Sequence, residues 1–433
     1  MPSRVVENLR GQFGIRQEPK PDRKRSVQRM TVVQGVHIAT SVAPHSHAGR
    51  VAPEVVIIHN HWIHYKDLLF RAMLARSLSF KVLFTAASSK FRLPARALAE
   101  APYSYEISFP AEYERVNNLH AAIRTWRALT RLRPRILVIS GWYDGAGWSA
   151  WAWGISHKTP MLLWAESNSC DRPRHFAREA VKRFFVRRFV KAYVYGQSNR
   201  EYMLQLGMED HQILTKRAVL DVRRFTRHPE VRRDPGCLTF LYVGRFSPEK
   251  NLESLLEAIH QLRGERLPKP LKLVLAGYGP LESKLRALVG KLDLQDSVVF
   301  TGAVEQEHLP SIYSAADVFV LPSLSEAWGL VANEAMCCEL PVALSNRCGC
   351  AKDLAIPDTG WTFDPTDISD MVRVLRCIAV TPTERLAEMG KGARELSAQY
   401  SPENCAAQVV GSISQQLDNQ ERNSSQLQHE GPC

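Results

Sequence analysis

Short apolar runs alternate with amphipathic stretches along most of this chain. The first series of strand-like runs lies at 55–59, 81–85, 135–139, 161–164 and 192–195, with helix-like spacing between them, as at 67–77 and 118–132. A polar segment with two prolines, RRFTRHPEVRRDPG at 223–236, interrupts the pattern and reads as a linker. A second series follows, with strands at 239–243, 272–276, 298–301, 318–321 and 342–345 and helices at 383–399 and 402–417. Strands alternating with helices predict parallel sheets covered on both faces. Two such series predict an α/β fold of two Rossmann-like, doubly wound domains facing a cleft, with ligands at the carboxyl ends of the strands. The expected boundaries are 53–222 for the first domain, 223–237 for the linker and 238–400 for the second domain. A C-terminal helix at 401–417, with the first domain as a candidate packing partner, and a polar, disordered tail at 418–433 complete the division.

Residues 1–52 are rich in Arg, Pro and Ser, lack periodicity and read as a flexible N-terminal extension. The mildly apolar run 30–43 contains Gln34 and His37, which suits a signal peptide poorly, and Met30 is an alternative start. No run of 18 apolar residues occurs, so no membrane-spanning helix is expected. The nine cysteines show no metal-finger spacing and read as reduced, cytosolic thiols. A net charge of +12 and a pI near 9.3 admit nucleic acid, an anionic membrane or an anionic substrate as partner. Acidic residues are spread throughout and no basic module studded with aromatics appears, which makes nucleic acid the weakest of the three.

The strongest chemistry lies in the second series. The strand LTFLYV ends at Gly244, followed by Arg245 and Lys250, a rigid fork and a mobile ammonium suited to two phosphates. Gly277 and Gly279 occupy a strand–helix turn, where missing side chains let backbone approach a ligand. The segment PSLSEAWGLVANEAMCCELPV at 322–342 carries Glu326 in a loop, Gly329 at a helix start and Glu334 just over one turn into that helix. The unpaired amides of such a helix start make an anion site. Glu326 is suited to a sugar hydroxyl and Glu334 to the two ribose hydroxyls. No DxD occurs, so neither a cofactor nor a diphosphate-bridging metal is implied.

GRFSPEKN at 244–251, AGYGP at 276–280 and SEAWGLVANEA at 325–335 resemble the retaining glycosyltransferases of family 4, glycosyl transferases group 1, with the GT-B fold. The resemblance spans about 238–399 and reaches more loosely back to about 55. It implies that Arg245 and Lys250 hold the donor diphosphate, that Glu326 contacts the transferred sugar and that Glu334 contacts the ribose. It also implies that loop amides around Trp328, Gly329 and Leu330 touch the diphosphate.

The first series is less explicit. His59, Asn60, His61 and Trp62 follow the first strand, with His64 and Lys66 just beyond. A histidine there suits an acceptor hydroxyl or the donor sugar as well as it suits local turn bonding. The histidines read as metal ligands only weakly, because no carboxylate or cysteine joins them nearby. Asp144 beside Trp142 and Tyr143 suits a sugar ring, the aromatics stacking and the carboxylate bonding hydroxyls. Glu166 stands where many members of the resembled family carry a histidine, and HNHW replaces their usual glycine-rich loop. Between Arg172 and Lys191, eight basic residues face one acid, Glu179, with Phe176, Phe184, Phe185, Phe189 and Tyr193 interleaved. That pattern suits either an anionic membrane surface or an amphipathic helix packed on the sheet.

The expected activity is transfer of a hexose, with retention, from a nucleotide diphosphate sugar to a hydroxyl acceptor. A lipid-linked surface polysaccharide or exopolysaccharide intermediate is the candidate acceptor, and the expected location is cytoplasmic or peripheral on the inner membrane face. A small soluble acceptor and a non-catalytic nucleotide-sugar binding protein are the alternatives.

Overall fold

The computed structural model describes residues 53–89, 100–170, 174–216 and 218–429. The expectations for residues 1–52 lie outside the described residues, as do Arg172 and 430–433. The first sheet comprises β1 Val55–His61, β2 Phe80–Ser88, β3 Ser104–Glu112, β4 Ile136–Ile139, β5 Met161–Ala165, β6 Lys191–Tyr195 and β7 Ile213–Lys216. Its order is β3-β2-β1-β4-β5-β6-β7, parallel throughout. The second sheet comprises β8 Leu238–Val243, β9 Leu271–Ala276, β10 Val298–Gly302, β11 Val318–Leu321, β12 Val342–Ser345 and β13 Gly360–Phe363. Its order is β10-β9-β8-β11-β12-β13, again all parallel.

The strand order reverses between β1 and β4 in one sheet and between β8 and β11 in the other. Ligands of doubly wound folds bind at such switch points, outside the carboxyl ends of the strands. Central strands such as LTFLYV and VFVL are buried along their whole length, as helices on both faces require. The β8 and β9 ends are locked together by backbone bonds, Gly244 N to Ala276 O at 3.0 Å and Phe246 N to Tyr278 O at 2.9 Å. A Cβ on Gly277, whose φ is +146°, would strike the Gly244 carbonyl, so here glycine serves the approach of two chain segments.

The helix Pro402–His429 returns to the first sheet, where Cys405, Val409 and Ile413 join the core beneath Phe70 and Met73. It continues past the point where disorder was expected. Gln420 donates to the Arg135 carbonyl at 3.1 Å, and Arg135 pairs with Glu421 at 3.0 Å. Polar composition there marks an exposed helical face, not a loose tail. The segment after residue 223 also packs firmly: Phe225 is buried edge-on to Tyr313, and Arg233 donates to the Glu339 carbonyl at 3.0 Å.

Among the described residues no helix is long and apolar enough to cross a membrane. The eight described cysteines are free thiols. Burial pushes the Cys337 thiol up to about 11 and raises those of Cys338, Cys348 and Cys350 further still.

Candidate functional site

The ends of β8 and β11 bring Lys250 and Glu326 into direct contact as an ion pair. Lys250 closes a 3-10 turn, Pro248–Lys250, and the Leu324 amide donates to the Glu249 carbonyl at 2.8 Å, so the two loops are also joined by backbone. Burial alone would raise the Glu249 carboxyl. The Ser247 hydroxyl and the charges of Lys250 and Arg245 outweigh it and hold the group below the usual range. Arg245 itself is exposed, and its carbonyl accepts from the Tyr242 hydroxyl at 2.9 Å.

Gly329 caps the helix Leu330–Cys337 with φ +101° and ψ 60°, a left-handed conformation that glycine adopts readily. Opening amides of an α-helix lack intrahelical acceptors, so this start, packed against the Glu326 side chain, has the amide arrangement of an anion site. Trp328, by contrast, turns its indole inward. Its Nε1 donates to Asn333 at 2.8 Å, and its ring lies 6.0 Å from Tyr195 and 5.9 Å from Tyr400. Gly279 packs where a Cβ would strike the Phe246 backbone. Glu334 keeps a solvent-accessible edge but is ringed by protein. Burial raises its carboxyl to about 7, against the opposing effects of the Tyr313 hydroxyl, which donates at 2.8 Å, and of the Arg224 charge. Tyr313, in the short helix Leu309–Ser314, had no sequence motif to announce it.

Opposite this face lies a cavity of about 920 Å³. Its walls include His59, His61, Trp142, Tyr143, Glu166 and Asn168 from the strands and loops of the first lobe, and Ser325 and Ala327 from the Glu326 loop. The two lobes touch here: the Asn168 amide donates to the Glu326 carbonyl at 3.0 Å. Further along, Asp353 accepts from the Gln197 amide at 3.0 Å and Lys352 pairs with Glu201 at 2.6 Å.

His59 is buried, with Nδ1 3.0 Å from the His61 carbonyl. Burial foremost, then the Lys66 charge, lowers its pKa to about 3, so the ring is neutral. His61 lines the cavity with its ring 5.8 Å from Tyr113. Asp144 is not among the lining residues. Its carboxylate caps the helix Gly145–Ser156 through the Gly147 amide at 2.8 Å and accepts from the Tyr113 hydroxyl at 2.9 Å. The expected sugar-bonding carboxylate is thus a helix cap, while Trp142 and Tyr143 beside it do face the cavity.

The basic stretch divides. Among its described residues only Phe176–Val186 is helical, and Lys191–Tyr195 is β6. Phe185, Phe189 and Tyr193 are core, whereas Phe176 and Phe184 are 87% and 55% exposed. The same helix lines the cavity with Arg178 and Lys182, joined by Arg174 just ahead of it, and Glu179 pairs with Arg174 at 3.1 Å and Lys182 at 2.8 Å. Among the described residues, the group whose ligand atoms lie within 4.8 Å of one another, as a metal would need, is the exposed Glu305, Glu307 and His308; His59, His61 and His64 form no such group.

Residues 224–396 match the family described as glycosyl transferases group 1. The chain is similar to the sulfoquinovosyl transferase SQD2 of Arabidopsis thaliana, 35% identical over 171 residues, covering 39% of this chain and 31% of that one. It is also similar to D-inositol 3-phosphate glycosyltransferase 2 of Catenulispora acidiphila, 30% identical over 235 residues, covering 51% of this chain and 55% of that one. The matched stretch therefore spans about a third to about half the length of these relatives. Among solved structures, sucrose-phosphate synthase of Thermosynechococcus elongatus superposes with a TM-score of 0.64 at 20% identity, covering 84% of this chain and 99% of that one. HepE of Anabaena in complex with UDP superposes at 0.66 with 16% identity, covering 84% and 100%. At such identities these likenesses establish the two-sheet GT-B fold.

Proposed function

From the match of residues 224–396 to the glycosyl transferases group 1 family, we propose that the protein transfers a hexose, with retention, from a nucleotide diphosphate sugar to a hydroxyl group. The observation that carries this reading is the Lys250–Glu326 pair at the ends of β8 and β11, set beside the glycine-started helix. Breaking the anomeric bond develops negative charge on the departing diphosphate. Lys250, Arg245 and the helix amides stabilise that charge where it appears, without a metal. Glu326 accepts from the hexose and Glu334 from the two ribose hydroxyls. The acceptor approaches on the same face as the leaving group, whose phosphate receives its proton.

The acceptor is a lipid-linked glycan taken up at an anionic membrane surface on the cytoplasmic side. The exposed Phe176, Val181 and Phe184 among Arg178, Arg183 and Arg187 support this, because their helix also lines the cavity. The deciding experiment incubates the protein with UDP- and GDP-hexoses, with anionic vesicles carrying lipid-linked acceptors and with soluble alcohols. Proton NMR then reads the anomeric configuration of the product. Transfer with retention, favoured on vesicles, is expected. Inversion, or no turnover of any donor, ends the reading, and transfer confined to soluble alcohols removes its lipid part.

Glu334 gives the reaction a pH dependence. Ribose hydroxyls donate to the ionised carboxylate, so binding favours loss of the proton that burial holds on up to about pH 7. Affinity for a nucleotide sugar, whose own diphosphate keeps a constant charge, therefore rises between about pH 6 and about pH 8 and then levels. Glu334→Gln flattens that rise. Titration calorimetry at several pH values checks it, and identical profiles for the two proteins would remove Glu334 from the ribose site.

A further inference from the structure

Lys66 lies in the helix His64–Leu74 and is 1% exposed, an unusual place for an ammonium. It is paired directly with Glu166, and its Nζ stands 3.9 Å above the Trp164 ring and 5.2 Å from that of Tyr195. The Tyr195 hydroxyl donates to the same Glu166 oxygen at 3.1 Å. A charge buried this deeply is costly unless paired, and its pairing fixes the partner in one place. Glu166 is a third exposed and lines the cavity wall. It is also two residues from Asn168, whose amide holds the Glu326 carbonyl. Cation, tyrosine and aromatic floor therefore hold a carboxylate at the surface that faces the sugar loop.

We propose that Glu166, fixed by Lys66, reads the sugar in the cleft: its carboxylate accepts hydrogen bonds from hexose hydroxyls and repels sugars that carry an anionic substituent. This rests on the donor-site reading above and adds a substrate class, neutral hexoses. Glu166 touches the sugar, whereas Lys66 is a positioning residue that acts through it. Trp142 and Tyr143 in the same wall give the ring an apolar edge to lie against.

The test compares three ligands of one base: UDP, UDP-glucose and UDP-glucuronate, or GDP, GDP-mannose and GDP-mannuronate, whichever diphosphate raises the melting temperature of the wild type. In Glu166→Gln, affinity for the neutral sugar nucleotide falls on the order of tenfold. Affinity for the bare diphosphate stays within about twofold, and the preference for neutral over uronate sugar narrows. Glu166→Asp keeps the charge but withdraws it, so it loses neutral-sugar affinity and still rejects the uronate. Lys66→Met acts in the same direction, adds less than about twofold in the Glu166→Gln background, and Lys66→Arg restores part of the loss. Equal losses for the diphosphate and its sugar, or an unchanged preference in Glu166→Gln, overturn the proposal. If no diphosphate binds the wild type, the donor site itself is wrong, and that outcome is distinct because bare UDP and GDP are then silent.

Discussion

Replacing Lys250 by alanine lowers the rate of sugar transfer by on the order of 10²–10³, with the fold retained. The size follows from where the charge acts. In the proposed reaction the ammonium meets the diphosphate most strongly as the glycosidic bond breaks, so its loss falls on the transition state more than on substrate binding. The expected signature is a large drop in kcat with a smaller change in the KM for donor. The pair is mostly buried, with 18% of Lys250 and 20% of Glu326 exposed, so alanine leaves the Glu326 carboxylate without its cation and lowers the melting temperature while the two sheets stay folded. Steady-state kinetics with the donor the wild type accepts, alongside a melting curve, provide the check. A variant that turns over at a rate comparable to the wild type would detach Lys250 from the diphosphate. Lys250→Arg serves as the control: it keeps a charge but changes its shape and reach, and so recovers part of the rate.

The parts of the fold that were legible in the sequence are those buried on both faces. The strands expected at 318–321 and 342–345 are β11 and β12 with identical bounds, and the helix expected at 118–132 is Asn118–Leu132. The strands without a sequence signal are β3, β7 and β13, and all three are sheet edges. An edge strand has one neighbour and part of a solvent face, so it needs no continuous apolar run. SYEISFPAE in β3 mixes charge, proline and aromatics, and ILTK and GWTF carry polar residues where the equally short VFVL of β11 is wholly apolar. Glycine spacing and paired acids made the second lobe readable, because their backbone demands are local. The cavity wall of the first lobe depends on tertiary neighbours. Nothing local distinguishes Asp144 as a helix cap from Asp144 as a sugar ligand, or identifies Lys66 as buried beneath Glu166 from a distance of 100 residues.

Trp328 separates what a side chain does from what its backbone does. Trp328→Ala is expected to cost about 3–5 kcal/mol of stability, because a large buried indole leaves a cavity that its neighbours fill only in part. The indole is 5% exposed, lies between Tyr195 of the first lobe and Tyr400, and satisfies Asn333 inside the second-lobe core. Its removal therefore loosens the lobe contact and leaves a buried amide oxygen without its donor. Trp328→Phe keeps most of the packing and loses only the hydrogen bond, a cost of about 1–3 kcal/mol. Thermal melts rank wild type, phenylalanine and alanine in that order. Donor KM in the phenylalanine variant stays within a few-fold of wild type, because in the proposed site the groups offered to the diphosphate at this turn are the amides that Gly329 orients, and phenylalanine leaves them in place. An alanine variant that melts with the wild type would mean that the lobes do not rest on this indole, and a phenylalanine variant that melts normally but loses donor affinity would give the ring itself a part in binding.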